Sequence, residues 1–363
     1  MNVLLAGGGT GGHLIPALAL ARELTRARPD LDPVLVGAER GLEAQVLPRY
    51  PYRYHLLPFE PIYRHSWWRN LRWPLIAGRV WRSVGQVLDR ERPAIVIGTG
   101  GYAAGPVVWR AQRRGVPTVL QEQNAFPGLT TRWLTRSARQ IHLGFPEARG
   151  RLTPGPTTQV FAFGNPIPPP EGSDRAAAAR AFGLDPGRPT VLVFGGSQGA
   201  HAINEAVGKM LGADGGGLGR ANLLWGVGPS HLPRWEACAT PGRVVVRGFF
   251  DPMSEAYSLA DLVICRAGAM TTAELCAWGK ASVLVPLPTA AADHQTANAR
   301  ALSLAGAAVL LPESELATGA LAALIGTLLD DPSRREALAA RARGRGHPNA
   351  TAEIVSKILT EIA

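Results

Sequence analysis

Short apolar runs separated by amphipathic stretches recur along this 363-residue chain. The first run covers Val3–Ala6, is followed at once by glycines, and leads into apolar residues spaced three or four apart, at Leu14, Leu18, Ala21 and Leu24. Such a pattern predicts a buried strand, a turn and an amphipathic helix. Further apolar runs in the same rhythm predict the strands Pro33–Val36, Tyr52–Leu57, Ala94–Gly98, Pro117–Gln121, Gln140–Leu143, Gln159–Phe163, Thr190–Phe194, Asn222–Trp225, Arg243–Val246, Asp261–Cys265, Ala281–Val285 and Ala307–Leu311.

This alternation of strands and helices predicts two parallel, doubly wound α/β sheets, one on either side of a proline-rich segment. That segment, Gly164–Gly172, has four prolines in nine residues and predicts a stiff connector. We expect one Rossmann-like domain over residues 1–164, a second over 165–345, and a C-terminal helix within 346–363 that could pack back on the first domain. Two such domains facing each other would leave a cleft between the carboxyl ends of their strands, where open α/β sheets bind ligands.

Two glycine-rich turns mark the expected ligand contacts. The first is Gly7–Gly12 and the second lies at Gly195–Ala200, each between a predicted strand and a predicted helix. Glycine lets the backbone approach a ligand closely, and a helix N-terminus offers N–H groups and partial positive charge to an anion. The first turn also fits the dinucleotide pattern GxGxxG, although five glycines in six residues fit many patterns. The second strand leads into Gly37, where a dinucleotide site needs an acid, and this argues against a dehydrogenase.

Composition restricts the possible classes further. With 46% hydrophobic residues the chain can bury two cores, and it contains no apolar run of membrane-spanning length. The cysteines (Cys238, Cys265 and Cys276) show no CxxC spacing and the histidines form no HxxxH pair. This favours structural thiols in a reducing cytoplasm and predicts neither a metal site nor a cofactor. The Asp-x-Asp motif that metal-dependent transferases use occurs at Asp30–Asp32, but in a turn far from the carboxyl ends of the strands.

Positive charge is concentrated in the first half of the chain. The formal net charge is +10; residues 1–164 contribute +11, from 21 arginines against 10 acidic residues, and residues 165–363 contribute −1, from 17 basic against 18 acidic residues. Such a split suggests a docking face for an anionic partner, either a membrane or a nucleic acid. The chain carries no recognisable base-reading motif, so we do not expect nucleic acid.

The stretch Tyr63–Val84 holds four of the nine tryptophans and five arginines, with no acidic residue. Tryptophan and arginine together on an amphipathic stretch suit the interface of an anionic membrane. Composition alone leaves open a core-packing helix whose arginines are merely solvated. The candidate membrane residues are Trp67, Trp68, Arg69, Arg72, Trp73, Ile76, Arg79 and Trp81.

Three further clusters carry polar residues after predicted strands. Gly98–Tyr102 places a tyrosine at one strand end, and Gln121–Asn124 follows the next strand. Polar residues at successive strand ends are expected to line a ligand cleft. The third cluster, Ala260–Glu274, runs from a buried strand into a helix that carries Glu274 near its start. A carboxylate there suits the helix dipole or a pair of sugar hydroxyls, and the residues alone leave both open.

Seven motifs occur in the order found in the MurG family of bacterial glycosyltransferases, and they cover nearly the whole chain. They are GGTGGH (Gly8–His13), GTGGY (Gly98–Tyr102), QEQN (Gln121–Asn124), FGNP (Phe163–Pro166), GGSQGA (Gly195–Ala200), RAGAMTTAE (Arg266–Glu274) and HQTANA (His294–Ala299). The chain thus resembles enzymes that transfer N-acetylglucosamine to the C4 hydroxyl of lipid-linked N-acetylmuramyl-pentapeptide, turning lipid I into lipid II in peptidoglycan synthesis. The resemblance implies a GT-B fold, an acceptor-binding and membrane-associating first domain, and a UDP-sugar-binding second domain. It also implies an inverting transfer with UDP as the leaving group and no required metal.

The resemblance further implies partners and site residues. The partners would be UDP-N-acetylglucosamine, undecaprenyl-pyrophosphoryl-MurNAc-pentapeptide, an anionic membrane surface and cell-wall synthesis proteins, with the protein on the cytoplasmic face of the cell membrane. Glu274 would hold the ribose, Phe250 would flank the uracil, and Gln295 and Asn124 would hold the sugar hydroxyls. The full set of predicted substrate-binding residues is Thr10, Gly11, Gly12, Tyr102, Asn124, Ser197, Gln198, Phe250, Ala269, Met270, Thr271, Thr272, Ala273, Glu274, Gln295 and Asn298.

The candidate catalytic residues are His13 and Glu122. His13 stands where the first glycine turn becomes a helix. A histidine with a pKa near roughly 6.5 can take the proton of an acceptor hydroxyl at neutral pH, and a helix N-terminus lowers that pKa and favours the neutral form. Two alternatives remain: His13 positions the acceptor diphosphate, or it ties down the loop while Glu122 or another carboxylate acts as the base.

The chain departs from the family pattern at two positions. Gln121 stands where the family usually has histidine, and Pro168 where it tends to have arginine. The rival functions are another GT-B sugar-nucleotide enzyme, such as an epimerase or a transferase with a different acceptor, and a non-catalytic sugar-nucleotide sensor at the membrane.

Overall fold

The structure is a computed structural model that describes residues 1–60, 73–196, 198–212 and 218–362. The chain divides into two compact units: the first combines Met1–Pro168 with Asn349–Ala363, and the second is Pro169–Pro348. The chain passes from one unit to the other within the proline-rich segment.

The strands, in chain order, are β1 (Asn2–Gly7), β2 (Asp32–Ala38), β3 (Arg53–Leu57), β4 (Ile95–Gly100), β5 (Thr118–Glu122), β6 (Gln140–Leu143), β7 (Gln159–Phe161), β8 (Thr190–Phe194), β9 (Asn222–Gly226), β10 (Val244–Arg247), β11 (Leu262–Cys265), β12 (Ser282–Leu284) and β13 (Val309–Leu310). The helices are α1 (Gly11–Ala27), α2 (Glu43–Val46), α3 (Trp73–Glu91), α4 (Gly101–Arg113), α5 (Leu129–Leu134), α6 (Arg175–Phe182), α7 (His201–Gly212), α8 (Leu232–Trp235), α9 (Met253–Leu259), α10 (Ala269–Ala277), α11 (His294–Leu304), α12 (Ala320–Asp330), α13 (Pro332–Arg343) and α14 (Ala350–Leu359).

The first unit contains a seven-stranded parallel sheet in the order β3-β2-β1-β4-β5-β6-β7. In β1, Val3 and Leu5 enter one core cluster, whereas Leu4 and Ala6 enter another. Side chains alternate across a strand, so an uninterrupted apolar run means that helices cover both faces of the sheet.

Helix α14 returns to the first unit after the whole second unit. It packs against α1, and its Ile354 and Ile358 join the same core cluster as Val3. Two hydrogen bonds fix it: the Gln140 amide donates to the carbonyl oxygen of Lys357 at 2.9 Å, and the Thr351 hydroxyl donates to the carbonyl oxygen of Ile167 at 2.8 Å.

The second unit repeats the plan with six parallel strands in the order β10-β9-β8-β11-β12-β13. Trp225 of β9 is fully buried in its core, and the indole N–H donates to Asn204 Oδ1 at 3.0 Å. In each unit the strand order reverses beside the unit's first strand, between β1 and β4 and between β8 and β11. Ligands of open α/β sheets bind outside the carboxyl ends of the strands at such a reversal.

The predicted fold class is confirmed. Every predicted strand is present, with ends displaced by no more than two residues. Both sheets are parallel throughout, as the alternation of strands and helices predicted.

Candidate active site

The first glycine loop, Gly7–Gly12, joins β1 to α1 at the carboxyl edge of the first sheet. Gly9 has a φ of +92°, in the left-handed region that glycine favours. A Cβ built on Gly9 would lie 2.4 Å from Cε1 of Tyr102, the predicted ligand at the start of α4. Thr10 is the residue before α1, and Gly11 and Gly12 form its first turn. The loop is therefore clamped against Tyr102, and α1 begins directly beyond it.

His13 lies half-buried in the first turn of α1. Its Nδ1 atom is 3.1 Å from Thr10 Oγ1, and its carbonyl oxygen accepts the Thr99 hydroxyl at 2.7 Å. A Cβ built on Gly100 would come within 2.8 Å of the ring, so the ring needs a glycine there. When Nδ1–H donates to Thr10, the unprotonated nitrogen is Nε2, and that tautomer is the one a general base requires.

Glu43, which no sequence motif marked, begins α2 and lies fully buried beneath the first glycine loop. Its carboxylate accepts the Gly9 N–H. Cβ atoms built on Gly8, Gly37 and Gly41 would come within 2.0, 2.6 and 1.8 Å of its side chain. Oε2 meets no hydrogen-bond donor among the described residues. Three glycines thus make room for one carboxylate that fixes the loop, and no local sequence pattern marks it.

We expect Gly101→Ala to destabilise the protein by at least about 2 kcal/mol more than Gly115→Ala. Both glycines have a positive φ, +79° and +73°, so alanine strains the backbone at both, at about 1–2 kcal/mol. A Cβ on Gly101 would also lie 2.0 Å from the carbonyl oxygen of Gly8, whereas nothing lies within 4 Å of one on Gly115. Urea unfolding of both variants measures the difference; equal losses would mean that the first glycine loop does not press on α4.

Gln121 and Gln123 are buried and brace the ends of two strands. The Gln123 amide donates to the carbonyl oxygen of Thr99 at 2.9 Å, and the Gln121 amide donates to Asn165 Oδ1 at 3.3 Å. The Asn165 amide in turn donates to the carbonyl oxygen of Gln123 at 3.0 Å. The departure from the family at Gln121 therefore falls on an interior position that joins β5 to the FGNP segment.

Glu122 is buried, and both its carboxylate oxygens accept backbone N–H groups: Oε1 from Asn124 at 3.1 Å and Oε2 from Gly128 at 3.0 Å. Burial raises the pKa of Glu122, and the hydrogen bonds to its carboxylate oppose that rise. This geometry suits a residue that shapes the loop carrying Asn124, which is half-buried. Of the two predicted catalytic residues, His13 is the one with a side chain more open to a ligand.

The second glycine loop, Gly195–Ala200, joins β8 to α7. Gly196 and Gly199 have φ values of +88° and +77°, and a Cβ on Gly199 would lie 2.1 Å from the carbonyl oxygen of Val227. Gln198 is exposed, whereas the predicted ligand Ser197 lies outside the described residues.

Strand β11 is the neighbour of β8 in the sheet, and helix α10 follows β11 in the chain. Ala269 is buried, and three other predicted ligands are half-buried: Met270, Thr271 and Ala273. Thr272 is fully buried, and its hydroxyl donates to the carbonyl oxygens of Gly268 at 3.1 Å and Ala269 at 3.0 Å. Thr272 thus shapes the start of the helix, and the N-terminal N–H groups of α10 offer an anion site.

Glu274 lies half-buried in the second turn of α10. The hydroxyl of Tyr257, from α9, donates to its Oε2 atom at 2.9 Å. Burial raises the pKa of Glu274, and the hydrogen bond from Tyr257 opposes that rise. Among the described residues Glu274 forms no ion pair. The donor to its carboxylate is the neutral hydroxyl of Tyr257.

The remaining predicted ligands of the second unit are Phe250, Gln295 and Asn298. Phe250 is buried and shares a small apolar pocket with Met253 and the half-exposed Phe249. Gln295 Oε1 accepts the Leu287 N–H at 3.0 Å. Asn298 is fully buried, and its amide donates to the carbonyl oxygen of Ala267 at 3.1 Å, so it supports the β11–α10 turn from below.

The two aspartates of the Asp-x-Asp motif form ion pairs with arginines. Asp30 pairs with Arg28 at 2.8 Å, and Asp32, at the amino end of β2, pairs with Arg53 at 2.6 Å. Across the part of the chain that the structure describes, no three His, Cys, Asp or Glu side chains converge as metal ligands would.

Comparisons with known proteins agree with this arrangement. The model of the glycosyltransferase family 28 N-terminal domain matches residues 3–143, and that of the family 28 C-terminal domain matches residues 190–354. The UDP-N-acetylglucosamine–N-acetylmuramyl-(pentapeptide) pyrophosphoryl-undecaprenol N-acetylglucosamine transferase of Prosthecochloris aestuarii is 42% identical, covering 99% of this chain and 98% of its own. The same-named protein of Desulforudis audaxviator is 39% identical over 99% of this chain and 98% of its own.

Solved structures give the same picture. The crystal structure of Acinetobacter baumannii MurG has a TM-score of 0.79 and 28% identity, covering 99% of each chain. A UDP-GlcNAc 2-epimerase from Neisseria meningitidis has a TM-score of 0.66 at 14% identity, over 99% of this chain and all of its own, a likeness of fold alone. From the two domain matches and the full-length identity, the chain belongs to glycosyltransferase family 28, and within it to the MurG family of GT-B enzymes.

Proposed function

We propose that this protein transfers N-acetylglucosamine from UDP-N-acetylglucosamine to the C4 hydroxyl of undecaprenyl-pyrophosphoryl-MurNAc-pentapeptide, which converts lipid I to lipid II. The observation that carries the proposal is the 42% identity over 99% of the chain to enzymes named for that transfer. The geometry supports it, because the region of identity includes a histidine fixed at a glycine loop in one unit and a carboxylate held at a helix start in the other.

The donor would be held by the second unit. The N-terminal N–H groups of α10 and the backbone of the second glycine loop, with Ser197, suit the diphosphate. Glu274 would accept hydrogen bonds from the ribose hydroxyls, and the backbone at Phe250 would meet the uracil. Gln295 would hold hydroxyls of the transferred sugar.

In the reaction, Nε2 of His13 would take the proton of the acceptor C4 hydroxyl as its oxygen bonds to the anomeric carbon. The bond from that carbon to the β-phosphate oxygen breaks, and its electron pair leaves with UDP, so the configuration inverts. Backbone N–H groups at the start of α10 would stabilise the charge that develops on the leaving diphosphate.

UDP release with and without the lipid-linked muramyl-pentapeptide tests this function against its rivals. We expect UDP release from UDP-N-acetylglucosamine only when the acceptor is present. Turnover of the donor without acceptor would indicate an epimerase, and binding of the donor with no turnover in either case would indicate a sensor.

We further propose that the protein binds the cytoplasmic face of the membrane through α3 and α4. Val80, Val84 and Val87 of α3 lie in the core, and Ile76, a candidate membrane residue, packs against that core. The opposite side exposes Leu75, Arg79, Trp81 and Arg82. Trp67, Trp68, Arg69 and Arg72 lie outside the described residues, as does the side chain of Trp73.

The exposed side of α3 continues onto α4. The ring centres of Trp81 and Trp109 lie 4.8 Å apart; Trp81 is 38% exposed and Trp109 is 50% exposed. The Arg110 guanidinium lies 4.1 Å from the Trp81 ring centre. Exposed indoles beside arginines suit an interface of anionic lipid. None of the described helices is both long and apolar enough to cross a membrane.

We expect Arg79→Gln with Arg82→Gln to weaken binding to phosphatidylglycerol vesicles by about thirtyfold, at about 1 kcal/mol per charge. Vesicle sedimentation at two salt concentrations measures the effect, and Arg300→Gln, an exposed arginine of the second unit, is the matched control. Equal binding to neutral and anionic vesicles before and after the change would contradict the electrostatic part of the proposal.

A further inference from the structure

Tyr257 is a buried phenol that contacts Glu274, the proposed ribose ligand of the second unit. It lies on α9 with 2% of its surface exposed. Its ring packs against Trp278 at 5.6 Å and edge-on to Phe194 at 6.3 Å between ring centres. Its hydroxyl lies in this apolar setting and donates to Glu274 Oε2 at 2.9 Å. A buried hydroxyl needs such a partner.

Glu274 in turn depends on this donor. The carboxylate is half-buried. Burial raises the pKa of Glu274, so the charged form that ribose hydroxyls require is disfavoured unless a donor compensates it. Burial also raises the pKa of Tyr257 well above its ordinary value, so the phenol stays protonated and can only donate to the carboxylate.

We propose that Tyr257 is a positioning residue for recognition of the donor ribose: its hydroxyl fixes Oε2 of Glu274 so that Oε1 is presented to the 2′- and 3′-hydroxyls of a uridine diphosphate. The proposal rests on the proposed function, because it takes Glu274 as the ribose contact. The preference for a ribose over a deoxyribose then depends on two residues on different helices, Tyr257 on α9 and Glu274 on α10. A carboxylate pinned through one oxygen loses less rotational freedom on binding, which is why the pair discriminates better than Glu274 alone.

The test compares UDP with 2′,3′-dideoxy-UDP, which lacks both hydroxyls. We expect Tyr257→Phe to weaken UDP binding by about tenfold, the scale of one hydrogen bond to a charged group. The same variant should change dideoxy-UDP binding by less than about twofold. In turnover, KM for the donor should rise while kcat at saturating donor changes little, because the acceptor chemistry lies elsewhere.

The matched control is Ser258→Ala, the next residue on the same helix. Its hydroxyl donates to the carbonyl oxygen of Ser254 at 2.8 Å, within the helix. We expect this variant to keep the wild-type preference for UDP over dideoxy-UDP. Thermal unfolding of both variants confirms that the helix is intact.

Glu274→Ala, alone and combined with Tyr257→Phe, distinguishes failure of the ribose contact from failure of the role of Tyr257. The double variant should show the same preference as Glu274→Ala alone, since Tyr257 acts through that carboxylate. If Glu274→Ala leaves the preference unchanged, the ribose contact is wrong and the role of Tyr257 falls with it. If Glu274→Ala removes the preference but Tyr257→Phe keeps it, or weakens both ligands equally, Tyr257 is only structural and the inference is overturned.

Discussion

His13→Ala is expected to lower kcat by about a hundred- to ten-thousandfold while affinity for UDP-N-acetylglucosamine stays near wild type. A sugar hydroxyl is a poor nucleophile until a base takes its proton. In the proposed mechanism that base is His13, whose ring is held by Thr10 at Nδ1 and by the close approach of Gly100. None of the proposed donor contacts involves His13, so donor affinity is not expected to change.

The measurement is kcat against pH for wild type and variant, with isothermal calorimetry for the donor. Wild-type activity should fall on the acid side as the imidazole gains a proton, and the variant should lack that limb. Thr10→Val is a companion variant: it removes the hydroxyl that contacts Nδ1 of His13, so a smaller loss, about tenfold, is expected. A His13 variant that keeps both its rate and the acid limb would exclude this histidine as the base.

Glu274→Ala is expected to weaken UDP binding by about ten- to a hundredfold with the fold intact, which corresponds to losing roughly 1.5–3 kcal/mol of hydrogen bonding to a charged acceptor. The effect of this substitution on UDP affinity is also expected to depend on pH. Burial holds the pKa of Glu274 above the ordinary glutamate range, so the wild-type carboxylate loses its charge earlier than usual as the pH falls. The difference in UDP affinity between wild type and variant should therefore shrink on acidification.

Comparing the two proteins at each pH cancels the ionisation of the UDP phosphates themselves. Glu315→Ala removes an exposed carboxylate from the same unit and serves as the control, with no expected change in UDP affinity. A Glu274→Ala variant with unchanged affinity in calorimetry would mean that this carboxylate serves only the helix dipole.

The strands and their order along the chain could be predicted from the sequence because parallel strands buried on both faces leave a strong local trace. Val3, Leu4, Leu5 and Ala6 are all buried, since alternate residues enter cores on opposite faces of the sheet. A run of apolar residues with glycine at its end records that burial directly in the sequence.

The first-unit part of the candidate site was predicted only in part. The glycine loop, His13 and Tyr102 were marked by sequence, and the structure brings Tyr102 and His13 to the same loop. Glu43 was missed because its role depends on contacts with Gly8 and Gly41 that no local pattern encodes. The burial of Glu122 was also beyond the sequence, since a polar residue after a strand looks the same whether it reaches a ligand or braces a loop.

The helix α3 shows why composition alone left two interpretations open. Its valines face the core, and its arginines with Trp81 face outward, so one helix carries both patterns. Which face meets protein depends on the register of the helix against β3 and α4, and a list of residue types does not contain that register.

The strand and helix pattern, the two glycine loops, the family and the charge asymmetry could be inferred from the sequence alone, because each depends on residues close together along the chain. Tertiary structure was needed to show that α1 is the helix against which α14 packs, that Glu43 lies beneath the first loop, and that Tyr257 holds Glu274. These are contacts between distant segments. Their partners are chosen by which surfaces can bury apolar area and satisfy buried polar groups together, and that choice exists only once the chain has folded.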